Sequence, residues 1–557
     1  AILVQGIVAQ SLQEAAMRLK NGTATGNGMG RRALSASLGF VRDTISVGQQ
    51  GVRLGFGFAR LVTNAWFGLA TAWIGATTRA AEWNALHKAV LYNANDIVGL
   101  AHQLTIAGQD AAHSLARVPL SLSDYLLGAA GGQRGQMLRL ALGDEGVELF
   151  TAVSGLLQNL TEPLASGCTL PQMYTAAAAW SALQHAAAEV GEQSRSARRE
   201  TVHLPEHSAR WFRFTAATMG TLWCAGFVEG FSFRGVRTQR ARVNERQGAG
   251  PGEASLACAG IDGRVEVVTF EERTNEWFAP GYLVAVDHDR GVVVVAIRAT
   301  ASISDTITDL MGSPLPVKLG GYDGLTHEGM WRAAQRLQGD LSEWVQVGID
   351  KLGHGRARRV ILTGHSLGAG VASLVVALWH ASGRFAGENV ECLAFGPPQV
   401  LDAGLAQAQS NHTHSFVVGD DMFPRSGLAT AQDFRNAVLL LNDPAAGGLE
   451  SPENFSAQAL LDLETRGEHR ILAERYAYVR PKVRTSQGRL YPSGRVLLVL
   501  PGQAPYLGGL EDVDELRISR DMFTTHMPHR YVLALQDAEA AFPRAGAKVH
   551  SVITGSA

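Results

Sequence analysis

The stretch from Arg359 to Gly370, RVILTGHSLGAG, sets Ser366 between two glycines, where an apolar run gives way to the helical pattern Val371 to Trp379. A sharp strand-to-helix turn crowds the chain, so Gly364 and Gly368, flanking His365, Ser366 and Leu367, have to be small. The helix N-terminus that follows favours developing negative charge. This is the pattern of a nucleophile elbow, with Ser366 as the nucleophile. A serine hydroxyl attacks poorly unless a histidine takes its proton and a carboxylate fixes that histidine's tautomer. On such a framework the partners follow downstream, carboxylate first and histidine second. Ser415 to Arg425, SFVVGDDMFPR, places Asp420 and Asp421 just past an apolar run. Asp521 to Tyr531, DMFTTHMPHRY, places His526 and His529 on a loop entering the amphipathic segment Tyr531 to Ala541. Each of these residues alone reads as a solvated loop side chain, and His365 reads as structural.

The tetrahedral intermediate of acyl transfer needs two hydrogen-bond donors. One is the backbone N–H of Leu367, the residue after the nucleophile. The other comes from a loop after an earlier strand, and Val292 to Asp309, VVVVAIRATASISDTITD, supplies it with Thr300 just past the strand end. Taken alone, Thr300 reads equally well as a cap for the next helix. No cluster of Asp, Glu, His or Cys stands at ligand spacing, so neither a metal nor an organic cofactor is expected.

The elements that must hold these residues alternate. Tyr282–Val286, Val292–Ile297, Val360–Thr363, Cys392–Phe395, Ser415–Val418 and Val496–Leu500 are short runs rich in Val and Ile, separated by helical patterns. Strands alternating with helices imply an α/β fold with a mostly parallel central sheet covered on both faces. Before a glycine-rich stretch, Gln247 to Ser255, the texture differs. Ala, Gly and Leu dominate and apolar positions recur every three or four residues, as in Trp83, Leu86, Val90, Ile97, Ala101 and Leu104, which predicts an α-helical N-terminal region. Its longest charge-free run, Leu61 to Thr78, carries Asn64 and several threonines. A spanning helix needs about 20 mostly apolar residues, so a buried or interfacial helix is expected there.

A chain of 557 residues exceeds one hydrophobic core and predicts two units. With 49 Lys and Arg against 51 Asp and Glu, no basic field exists to hold nucleic acid. Cys168, Cys224, Cys258 and Cys392 are scattered without a C-x-x-C pair and read as free thiols, which favours a reducing, intracellular compartment. The sequence begins at Ala1 rather than Met, so a targeting signal is neither inferred nor excluded.

Together these blocks resemble the class 3 lipases, and within them the sn-1-specific diacylglycerol lipases. The resemblance runs from about Leu204 to Leu535, through LPEHSARWFRFTAATMG, GYLVAVDHDRGVVVVAIRATASISDTITDL, THEGM, LTGHSLGAGVASL, FGPPQ, GDDMFPR, LYPSGRVLLV and MFTTHMPHRYVLAL in that order. It implies an α/β-hydrolase fold over 201–557 behind a helical region 1–200. It further implies a flap over about 309–325 and an insertion over about 426–489. Of the alternatives above it selects Ser366, Asp421 and His526, the aspartate standing three residues before the Pro-Arg pair and the histidine before a Met-Pro pair. The family's oxyanion residue follows an Arg-Gly pair; here Ala299 replaces the glycine while Thr300 matches.

The function implied is hydrolysis of an acylglycerol ester, diacylglycerol first, at a lipid or membrane surface and without nucleic acid. A phospholipase, galactolipase or acyltransferase using the same residues is the alternative within enzymes, and a non-catalytic lipid-binding scaffold the alternative outside them. Animal diacylglycerol lipases carry four transmembrane helices before the catalytic domain, and the N-terminal region here has none of comparable hydrophobicity, so membrane association is an expectation. Oligomeric state is not indicated.

Overall fold

The computed structural model describes residues 168–196, 199–219, 250–271, 278–299, 312–353, 358–485, 488–519, 521–522 and 524–542. All lie in one compact unit, 150–557. The expectations for the N-terminal region before residue 168, for Cys224 and for Thr300 fall outside the described residues.

An eight-stranded sheet forms the centre. β1 (Val265–Glu271), β2 (Tyr282–Asp287) and β3 (Val292–Ile297) pair antiparallel; β3, β6 (Arg359–His365), β7 (Asn389–Phe395), β8 (Thr413–Val418) and β9 (Arg495–Val499) run parallel; β10 (Tyr506–Gly508) closes the edge antiparallel. The six runs singled out in the sequence are β2, β3, β6, β7, β8 and β9. β2 and β3 are buried at every position, which a strand reaches only when both sheet faces are covered.

Alternation assigns the faces. Leu283, Ala285, Val294, Ala296, Ile361, Leu393, Phe395 and Phe416 share one core with Trp211 and Phe212 of α2 (Ser208–Ala217) and with Tyr531 and Leu535 of α10 (Pro528–Ala541). The other face meets α4 (Glu328–Leu352) and α5 (Leu367–Ser382). Gly348 of α4 lies so close that a Cβ there would sit 2.9 Å from Cγ1 of Val293. α3 (Pro251–Cys258) leads into β1, and α6 (Ala403–Ala408) joins β7 to β8.

Between β3 and α4, the described part of the stretch expected to be a flap is a hairpin. β4 (Pro314–Leu319) and β5 (Tyr322–His327) pair in register around Gly320 and Gly321, both at positive φ, 57° and 88°. Two glycines at positive φ make the tight turn that suits the strand twist. The hairpin's base is pinned to the chain after β7, Thr326 Oγ1 donating to Val400 O at 2.9 Å and Asp402 N to Leu325 O at 2.9 Å.

Between β8 and β9 the expected insertion folds as helices α7 (Leu428–Asn442), α8 (Ala457–Thr465) and α9 (His469–Val483). They build a second core with α1 (Leu170–Ser196), in which Trp180, Leu183, Val438, Leu460, Leu472 and Val479 are buried. The sequence placed α1 with the N-terminal region before residue 200. Its apolar face is instead covered by the insertion, because α7, α8 and α9 each leave a stripe that the sheet does not cover.

Trp180 is 2% exposed and packs against Tyr476 of α9 with ring centroids 5.6 Å apart. Truncating a buried tryptophan costs about 3–5 kcal/mol. Trp180→Ala is expected to lower stability by that order in urea denaturation and to raise amide exchange across 457–483 while leaving the sheet protected; exchange unchanged in those helices would contradict the shared core.

Candidate active site

Ser366 stands between β6 and α5 with φ 55° and ψ −125°. A non-glycine residue in this region costs on the order of 1–3 kcal/mol, and the surroundings must enforce it. They do so from both sides. Ser366 N donates to Phe395 O at 3.0 Å, while Ser366 O accepts from Ala369 N at 2.9 Å and Gly370 N at 3.1 Å. The flanking glycines are steric requirements: a Cβ on Gly364 would lie 2.2 Å from the Gly368 carbonyl carbon, and one on Gly368 would lie 2.2 Å from Ile297 O. Gly368 thus packs directly against the end of β3. Leu367, buried, is the first residue of α5, where a backbone N–H has no acceptor within the helix.

Ala299 is buried and absent from the described residues with positive φ. The backbone there suits an L side chain, so replacing glycine imposes no torsional strain.

Asp421 follows β8 across a turn whose Gly419 has φ 51°. The turn is held by Arg425, which donates to Asp421 O at 2.6 Å, Gly419 O at 3.2 Å and Asp512 O at 3.1 Å. Full burial lowers the Arg425 guanidinium to about 10, still charged at neutral pH. The Asp421 side chain is 0% exposed and accepts three kinds of donor. Phe423 N reaches Oδ1 at 2.9 Å, the Tyr531 hydroxyl reaches Oδ2 at 2.6 Å, and His526 Nδ1 lies 2.9 Å from Oδ2 and 3.1 Å from Oδ1. Burial, and then the Asp421 charge, hold the Tyr531 phenol well above its ordinary range, so it remains a donor.

Of each pair left open by spacing, one member enters this network. Asp420 turns outward toward Arg517, 3.6 Å away, and His529 sits half-buried in the first turn of α10. The carboxylate on Nδ1 makes that nitrogen the donor, leaving the Nε2 lone pair of His526 as a base.

Aromatic rings fix the imidazole plane. Phe423 stacks on His526 at 3.8 Å between centroids and 19° between planes; His365, the chain neighbour of Ser366, lies 4.5 Å away at 32°. Phe212 of α2 supports the group from below, 5.6 Å from His365, 5.0 Å from Phe395 and 5.7 Å from Tyr531. Gly396, next to the carbonyl that binds Ser366 N, has φ 56° and is tightly enclosed: a Cβ would sit 3.1 Å from Asp421 Oδ2, 3.1 Å from His526 Cε1 and 3.0 Å from the Tyr531 hydroxyl. The His526–Asp421 pair thus lies beside Gly396 at the end of β7, and His365, the chain neighbour of Ser366, lies against the same imidazole. Tyr531, Phe423 and Arg425 lie in the sequence blocks already quoted, but their types alone did not mark them as partners of Asp421 and His526. Among the described residues no group of three or more His, Cys, Asp or Glu is gathered as a metal site.

Residues 294–430 match the family model for Lipase (class 3). The chain is 34% identical to human diacylglycerol lipase-alpha over 166 residues, 28% of this chain and 16% of that one. It is 30% identical to mouse diacylglycerol lipase-beta over 167 residues, 28% of this chain and 23% of that one. The match thus spans less than a quarter of either relative. Among solved structures, a Rhizomucor miehei lipase propeptide complex is 16% identical, covering 40% of this chain and 65% of that one with a TM-score of 0.29. The Lip2 lipase of Yarrowia lipolytica is 18% identical, covering 41% and 77%, with a TM-score of 0.29. The segment 294–430 is of the class 3 lipase family and is similar to diacylglycerol lipases.

Burial drives the His365 imidazole well below its ordinary value near 6.5, with the neighbouring His526 acting in the same direction. His365 is therefore neutral in the folded protein and protonates in the unfolded chain as pH falls through about 6.5. Its contribution to stability is complete above that pH and is lost below it. His365→Phe is expected to flatten the decline of the urea midpoint between about pH 6.5 and 5; an unchanged slope would show that His365 does not titrate across unfolding.

Proposed function

We propose that this class 3 lipase segment is the centre of a serine lipase that hydrolyses an acyl ester of diacylglycerol, or a related acylglycerol, to a fatty acid and monoacylglycerol. The buried Asp421 carboxylate on Nδ1 of His526, beside a serine held on a strained elbow, carries the reading. Ser366 Oγ attacks the ester carbonyl carbon while His526 Nε2 takes its proton. Asp421 stabilises the imidazolium so formed. The Leu367 N–H, at the start of α5, and Thr300 supply the oxyanion donors. The tetrahedral intermediate collapses, the C–O bond breaks, and His526 returns the proton to the departing glyceride oxygen. Water, deprotonated by the same imidazole, then attacks the acyl-enzyme; its acyl–Oγ bond breaks, Oγ recovers the proton, and the fatty acid leaves.

The matched relatives named diacylglycerol lipase favour that substrate class. Phe423 and Met527, 36% and 42% exposed, put apolar surface immediately beside His526, which suits an acyl chain arriving from a lipid surface. Among the described residues no helix is long and apolar enough to cross a membrane. Association with an intracellular membrane is proposed from the lipid class of the substrate.

The test is fatty-acid release from detergent-dispersed diacylglycerol labelled at one acyl position. Ser366→Ala is expected to abolish it, and Asp421→Asn, which leaves the wrong histidine tautomer, to lower kcat by on the order of 10⁴-fold. Tyr531→Phe removes one hydrogen bond to a buried carboxylate, a loss of about 1.5–3 kcal/mol, and should lower kcat roughly 10- to 100-fold. Release that persists in Ser366→Ala would end the serine mechanism; release from phospholipid but not from acylglycerols would move the substrate to the second class.

A further inference from the structure

The segment from Leu510 to Ile518 joins β10 to the loop that carries His526, and it is gripped from two sides. On the sheet side, Asp512 O accepts from Arg425 Nε at 3.1 Å and Val513 O from Gln399 Nε2 at 2.7 Å. That Arg425 is the residue bonded to the carbonyls of Gly419 and Asp421. Further along, Arg517 faces Asp420, and Met422 N donates to Met522 O at 3.1 Å. The strap thus holds the carboxylate loop through Arg425 and Arg517, and the carboxylate loop in turn bonds the histidine loop directly.

On the helical side the grip is ionic. The Asp514 side chain is 5% exposed and takes Arg480 Nη2 at 2.7 Å and Arg484 Nη1 at 2.6 Å, both at the end of α9. Its backbone carbonyl takes Arg489 Nη1 at 2.7 Å, while the other arm of Arg489 pairs with Asp433 of α7. Glu515 meets Arg480 Nε at 3.2 Å and also Tyr476 and Gln184. From α1, Gln184 donates to Leu516 O at 2.9 Å and Ser181 to Ile518 O at 2.8 Å.

Apolar packing would hold two layers together with less desolvation, so buried ion pairs are poor glue. Their directionality, by contrast, fixes one register of strap against helix. Three arginines converge on one residue, two residues from the carbonyl that anchors Arg425.

We propose that Asp514 is a positioning residue: through it the helical layer of α1, α7 and α9 sets the strap that holds Asp421 and His526 in register, so that this layer governs turnover rather than substrate binding. The proposal rests on the serine reading above. Loosening the strap displaces the carboxylate and imidazole relative to Ser366 by fractions of an ångström, which lowers the rate of proton transfer.

The experiment uses the full chain, a soluble monomeric ester (p-nitrophenyl butyrate), and a fluorophosphonate probe to count competent serines. Asp514→Asn is expected to lower kcat per labelled site about 10- to 100-fold with KM within about twofold. Arg484→Gln, at an exposed position, is expected to lower it several-fold and carries the test if Asp514→Asn fails to fold. A merely structural role would reduce the labelled fraction and leave kcat per labelled site unchanged in both variants; that result overturns the proposal. Ser366→Ala in the same assay separates the failures. Hydrolysis that survives it removes the serine reading and this proposal with it, whereas serine-dependent hydrolysis indifferent to Asp514 and Arg484 removes this proposal alone.

Discussion

A carboxylate with no exposed surface, Asp421, is the constraint around which the rest is arranged. Burying a charge without partners costs many kcal/mol, and the partners it needs come from three separate places in the chain. Phe423 N–H is local, His526 comes from the loop before α10, and Tyr531 from α10 itself. The hydroxyl that donates to Asp421 also lies 3.4 Å from Val418 N, at the end of β8. Strand, carboxylate and helix are thereby locked to one another. Removing any donor leaves buried charge unsatisfied, so the pairing couples the site's chemistry to the docking of α10 on the sheet.

The elbow obeys a different constraint, which is steric. A parallel strand ending against its neighbours leaves no room for side chains at Gly364 or Gly368. The backbone strain at Ser366 is held in place by a bond to β7 and by the first turn of α5. Strain of this kind persists where the sheet on one side and the helix on the other both fix the turn. The same geometry aims the helix N-terminus at the space beside Ser366, so the apolar strands β3, β6 and β7 are what make the charge-stabilising position possible.

This contrast explains what the sequence made legible. Strands buried on both faces are continuous Val and Ile runs, so VVVVAI and RVILTGH announce themselves. β1, with half-buried side chains, and the three-residue β10 carry no such run, and neither stood out. The stretch 309–325 reads only as a flap, through the resemblance; the pairing of β4 with β5 around Gly320 and Gly321 is decided in three dimensions. Glycines around Ser366 are local requirements and can be read locally. Tyr531, 110 residues from Asp421, is a partner only because α10 packs where it does, and a tyrosine at the start of an amphipathic helix reads as ordinary core. The union of α1 with the insertion is likewise nonlocal, since each helix shows a stripe but none shows its complement.

The ring pair beside the elbow shows how such nonlocal placement tunes chemistry. His365 lies 4.5 Å from the His526 imidazole, which in the proposed reaction accepts a proton during acyl transfer. A second positive charge at that distance would oppose the imidazolium by about 4 kcal/mol at an effective dielectric near 20, nearly three decades in rate. Burial against Phe212 and Tyr531 keeps His365 neutral, so the penalty does not arise. On the opposite face Phe423 presents its ring to the same imidazole, an arrangement that stabilises the cation. The two neighbours thus act in the same sense, one by withholding charge and the other by offering a π face. Between them the ring is confined to the plane in which Nδ1 meets Asp421. On the proposed mechanism the aromatic packing beneath the elbow is therefore part of the proton-transfer machinery, although none of its members exchanges a proton.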